Sequence, residues 1–151
     1  MPKTIAENAA AAEQAVKDAK AAAREAGDAC ASAEKASEEY KKTGSDKAAR
    51  ADDAEKAAVA AEGQADKGDE AGRVARDAAS EIAAESKKPW ISAQEKAAAD
   101  TAADKAREDR KATFAARDVA RQFADAARQI ADSLAKLADA KKEFEKQKDE
   151  K

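Results

Sequence analysis

The chain is 151 residues long, with 29 basic residues against 32 acidic ones, and alanine fills 48 positions. Leu, Ile, Val and Phe together number only 13, about 9%; below roughly 20% with high net charge, such a composition signals disorder. The net charge of −3 leaves two readings, a disordered polyampholyte or long helices packed through alanine. The absence of histidine excludes the commonest general base, metal ligand and neutral-pH switch, and one cysteine cannot make an internal disulfide.

The first predicted helix spans about 5–42. Thr4 with Glu7 forms a capping box at its start. Lys41 and Lys42 suit its C-terminus, and Thr43-Gly44 ends it. A three-four alternation runs through Ile5, Ala9, Ala12, Val16, Ala19, Ala23, Ala26, Cys30, Ala33, Ser37 and Tyr40. All but Ser37 are apolar, which is a coiled-coil seam.

The second helix is expected over about 46–86, started by Ser45 and ended before Pro89, which cannot continue a helix. Its seam reads Ala51, Ala54, Ala58, Ala61, Ala65, Gly68, Gly72, Ala75, Ala79 and Ile82. Gly63, Gly68 and Gly72 each cost about 1 kcal/mol of helix stability relative to alanine. Either they weaken or bend the helix, or they open a groove for close backbone approach.

The third helix, about 93–148, opens on a second capping box, Ser92 with Glu95. Ala112, Ala116, Val119, Phe123, Ala126, Ile130, Leu134, Leu137 and Phe144 fall within about 80° of one another at 100° per residue. The step from Phe123 to Leu134 spans eleven residues, so the stripe locally leaves the heptad. Phe114 lies nearly opposite, implying a second contact or a bend near Arg107–Lys111. At 1.5 Å per residue the helices measure about 57, 62 and 84 Å. An elongated antiparallel three-helix bundle, alanine-rich and coiled-coil-like as one domain over 1–151, follows. Its third helix overhangs by about 18 residues, from near Ile130 through Leu134, Leu137 and Phe144.

The remaining candidates read mainly as structure. Cys30 sits on a seam as a small buried hydrophobe, with an intermolecular disulfide as the alternative. Tyr40 reads as a plug at the bundle end. Trp90 either packs over the other end or serves as an exposed recognition anchor. Adjacent carboxylates such as Asp52-Asp53, Glu38-Glu39 and Glu108-Asp109 diverge by about 100° on a helix and make no acid–base pair unaided. Glu13 with Lys17, Glu38 with Lys42, Asp52 with Lys56, Asp69 with Arg73 and Asp132 with Lys136 have the spacing of favourable ion pairs along one helix. Residues 141–151 alternate charge, as a fraying helix end or an unspecific electrostatic patch does.

Thr101-Ala102-Ala103-Asp104-Lys105-Ala106-Arg107-Glu108-Asp109 resembles one eleven-residue unit of the late-embryogenesis-abundant proteins. That resemblance implies a desiccation or stress protectant, disordered when hydrated. The alanine content is also similar to that of the helical antifreeze proteins, but Thr4, Thr43, Thr101 and Thr113 do not keep the eleven-residue spacing of those proteins. Residues 112–144, with Arg117, Arg121 and Arg128 on the polar side, resemble the amphipathic helices of phasin-like and apolipoprotein-like coats.

The residues themselves favour a non-enzymatic scaffold or interaction protein, with no cofactor, no metal and no nucleic-acid partner at a pI near 5.3. Phe123, Ile130, Leu134, Leu137, Phe144 and Trp90 are the expected partner-binding residues. A second copy or another protein is the expected partner, and a homo-oligomer the expected state; a lipid or granule surface is the alternative. Nothing in the first twenty residues reads as a secretory signal, so the expectation is a cytoplasmic protein by default or a secreted one already trimmed.

Overall fold

The computed structural model describes residues 3–89 and 91–149. The chain is an all-α bundle of three helices, α1 (Ile5–Lys41), α2 (Lys47–Ser86) and α3 (Ala93–Asp149), each packed against the other two. At 37, 40 and 57 residues they are about 56, 60 and 86 Å long.

Each start is held by a side chain that satisfies an otherwise orphaned backbone donor. The Glu7 N–H donates to Thr4 Oγ1 at 3.1 Å and the Thr4 N–H donates to Glu7 Oε1 at 3.2 Å, the reciprocal box. At α3 the Glu95 N–H donates to Ser92 Oγ, while the Ser92 hydroxyl donates to the Glu95 carboxylate. The start of α2 differs from expectation. Asp46, not Ser45, is the cap, its carboxylate accepting from the Ala49 N–H at 3.1 Å. Gly44 has φ +84°, which only glycine adopts freely, and this carries the chain out of α1.

The core is an alanine lattice. On α1 the buried face is Ala12, Ala15, Ala19, Ala22, Ala26, Cys30, Ala33, Ala36 and Tyr40, with Asn8 at the bottom. The expected seam was half of that face. Val16, Ala23 and Ser37 are only half-buried, and their places are taken by Ala15, Ala22 and Ala36, one residue earlier. A helix that touches two neighbours buries a wider face than a two-stranded seam does. On α2 the expected seam from Ala54 to Ile82 is buried throughout, joined by Ala57, Ala71 and Ala78. Val59, off that seam, is exposed.

The glycines of α2 act as a close-contact groove. A Cβ at Gly68 would lie 3.4 Å from the Arg117 Cα, and one at Gly72 would lie 3.4 Å from the Phe114 ring. Backbone and aromatic edge therefore pass in van der Waals contact with these positions, leaving room for a single carbon but not for a larger side chain. Gly63 has nothing within 4 Å and takes no part.

The overhang of α3 is shorter than the length arithmetic implies. Its first buried residue is Ala99 and its last is Leu134, so residues 93–98 project at one end and 135–149 at the other. The cause is at the α2–α3 connection. Ile82 is the last core residue of α2, and it packs with Ala103 and Ala106 rather than with the first turn of α3. About a turn and a half of α3 is thus used before the core begins, Leu134 is drawn inside and Ile130 lies half-buried at the core's edge.

Candidate functional site on the flank of the third helix

Three sets of residues recur every seventh position along α3, and they point in different directions. The innermost set is small: Ala99, Ala103, Ala106, Thr113, Ala120, Ala124, Ala127, Ala131 and finally Leu134 are all buried. Thr113 is accommodated there because its hydroxyl donates to the Asp109 carbonyl at 2.7 Å.

The second set, Phe114, Arg121 and Arg128, faces α2. Phe114 lies against Gly72, with the Arg117 guanidinium 4.4 Å from the centre of its ring. Arg121 reaches Asp69 at 2.6 Å and Asp66 at 3.4 Å. Arg128 bridges Glu55 at 2.6 Å and Glu62 at 2.5 Å, and also meets Asp132 at 3.5 Å. The hydrogen bonds that both guanidiniums donate to those carboxylates hold them firmly in the charged form. Several acids expected to pair along their own helix pair elsewhere instead. Glu13 meets Lys105 and Asp69 meets Arg121, both across helices; Glu39, not Glu38, meets Lys42. Positions flanking a helix contact reach the neighbour as readily as the next turn.

The third set is the apolar one: Ala116, Phe123, Ile130, Leu137 and Phe144, with Val119, Ala126, Ser133 and Ala140 three residues behind each of the first four. It faces the α1 side. Phe123 lies over Gly27, where a Cβ would stand 3.1 Å from its ring. Ile130 and Ala126 pack at the edge of the core beside Ala29. Beyond that the set loses its neighbour, because α1 ends at Lys41. Leu137 is 54% exposed and Phe144 67% exposed. The expected stripe thus mixes two faces. Phe123, Ile130, Leu137 and Phe144 belong to the outer one, whereas Leu134 is 3% exposed and belongs to the core. Trp90 lies outside the described residues.

Between α1 and α3, near the α1–α2 turn, the outer face borders an open groove of about 700 Å³. Ser37, Tyr40, Ile130, Ser133, Leu134 and Leu137 are on its walls. Lys47 closes one side, its ammonium 4.6 Å from the centre of the Tyr40 ring and donating to the Tyr40 carbonyl. Ser133 and Tyr40 are the groove residues that pattern reading alone missed as a site. The signal was present in Ser133, a small residue within the strict seven-residue set. A second groove, of about 710 Å³, runs between α1 and α2 over Ala15, Ala22, Ala71 and Val74. Gln14 and Asp18 on its rim are hydrogen-bonded to each other at 2.9 Å.

Among the described residues no group of His, Cys, Asp or Glu side chains could hold a metal ion, and no helix is long and apolar enough to cross a membrane. Burial pushes the Cys30 thiol above its ordinary value, and the nearby Glu34 carboxylate adds to the effect. A thiol so placed is a packing group and a poor nucleophile at neutral pH. Comparison with protein-family models, curated proteins and solved structures found no match for this chain.

Proposed function

We propose that the protein is a non-enzymatic interaction module, whose three-helix body presents the outer face of α3 to a partner helix. One observation carries this reading. Leu137 and Phe144 continue the same seven-residue set as Phe123 and Ile130, yet they stay exposed, Leu137 beside the last turn of α1 and Phe144 two turns further along α3. A helix that needed only to close its own bundle has no use for large apolar residues there. The charged side chains support the same view, since Arg121 and Arg128 of α3 are occupied in holding α2.

The test is a photo-crosslinking amino acid introduced at position 144, in cells that make the protein, with position 108 on the polar side as control. The proposal expects protein adducts from position 144 and none above background from position 108. Equal yields from both positions, or none from either, would remove it.

A further inference from the structure

Resting on that reading, we infer that the occupant of the outer face is a second copy of this chain, its α3 paired antiparallel with the first over residues 130–147. The argument begins with shape. Place a two-fold axis between Ala138 and Asp139. Leu137 then faces Ala140 of the second copy, Phe144 faces Ser133, and Ile130 faces Gln147, each large apolar residue meeting a smaller or flexible one. Phe144 of the second copy enters over the groove beside Ser37 and Tyr40, where Ser133 leaves room.

Charge then selects the register. Residues flanking the seam set partner choice and orientation in paired helices. In this alignment Lys136 faces Glu143 of the second copy, and symmetry repeats the pair, giving two opposite-charge contacts. Sliding by one heptad one way sets Lys136 against Lys136. Sliding the other way sets Glu143 against Glu143. A parallel arrangement places Lys136 beside Lys141. Only the centred antiparallel alignment avoids like charges at these positions.

The bodies also allow it. The end of α1 lies beside Leu137, with Tyr40 and Lys41 sharing that groove. Each bundle therefore stops close to the two-fold axis, and the two meet end to end while the projecting helices overlap. The contact is short and belongs to the weak end of protein interfaces, with dissociation in the micromolar range.

Sedimentation equilibrium of the full chain tests the inference, using Lys136→Glu and Glu143→Lys as separate variants. Both positions are exposed, and circular dichroism of each variant is the check that its helix content is kept. The parent is expected to dimerise, each variant alone to dimerise about tenfold more weakly, and an equimolar mixture of the two to regain the parent's affinity. A parent that stays monomeric at high micromolar concentration overturns the inference, as does a dimer that both reversals leave unchanged. A monomeric parent that still crosslinks other proteins from position 144 would refute self-pairing alone. With no crosslink either, the reading of the face as a binding surface falls too.

Discussion

Replacing Gly63 and Gly68 by leucine, in two separate variants, measures how closely α3 runs past α2. Both glycines sit inside α2, so leucine at either position recovers about 0.8 kcal/mol of helix propensity. At Gly63 a new Cβ meets nothing within 4 Å, and the gain is kept. For a chain of this size that raises the melting midpoint by about 2–3 °C. At Gly68 the Cβ alone comes to 3.4 Å from the Arg117 Cα and 3.7 Å from the Ala120 Cβ. The three further carbons of leucine have no room unless α3 moves, and overpacking of that kind costs about 1–3 kcal/mol. The propensity gain offsets part of this, leaving Gly68→Leu destabilised by up to about 2 kcal/mol. Gly68→Ala is the internal control, since its single carbon makes an ordinary contact and should not destabilise. Thermal melts followed at 222 nm decide the matter. If Gly68→Leu stabilises as much as Gly63→Leu, α3 does not pass over Gly68 and the packing described for α2 is wrong.

Other substitutions separate core from surface. Ile82→Ala and Leu134→Ala remove the bulk of well-buried side chains and should each cost about 2–4 kcal/mol in urea unfolding; a loss below about 0.5 kcal/mol would place either side chain in solvent. Arg128→Gln removes contacts to Glu55, Glu62 and Asp132. Those pairs are partly exposed, so the expected loss is about 1 kcal/mol or less and should shrink as salt is raised. A loss independent of salt would contradict an electrostatic role. Cys30, buried and with its thiol pKa raised, should react with iodoacetamide far more slowly in buffer than in denaturant. Equal rates would show that α1 is not packed.

The helices were legible because their ends are written locally. Thr4 with Glu7, Ser92 with Glu95, and Gly44 each act within a few residues of themselves, the first as the full reciprocal box and the second as a cap whose hydroxyl is held by the Glu95 carboxylate. The start of α2 was less legible because Ser45 and Asp46 are both good caps, and only the geometry of the turn decides between them. The seam of α2 was read correctly from Ala54 to Ile82 because its Ala and Gly keep the three-four spacing, while the second buried row, Ala57, Ala71 and Ala78, was not. Along α1 alanine occupies most faces, so the pattern could not show that Ala15, Ala22 and Ala36 lie inward while Val16 and Ala23 lie half outside.

The third helix shows a different limit. Its large residues read as one partner-facing stripe, but in this bundle Leu134 packs inward with the alanines and the other large side chains flank them. Phe114 and Phe123 each find a glycine on a different neighbour, Gly72 and Gly27. That pairing is tertiary and leaves no local trace. The contact of Phe114 with Gly72 is the second contact its position implied, and α3 runs through residues 107–111 as unbroken helix. Within the Thr101–Asp109 segment, Ala103 and Ala106 are buried, so those turns serve the bundle.

The central claim is that alanine seams hold the body together while Leu137 and Phe144 are left for a partner. The most direct test is the thermal melt of Leu137→Ala/Phe144→Ala beside the parent, both at low micromolar concentration by circular dichroism. The account predicts a cooperative transition with the same midpoint for both. A midpoint lowered by several degrees in the variant, or a shallow non-cooperative loss of helix in the parent, would contradict it.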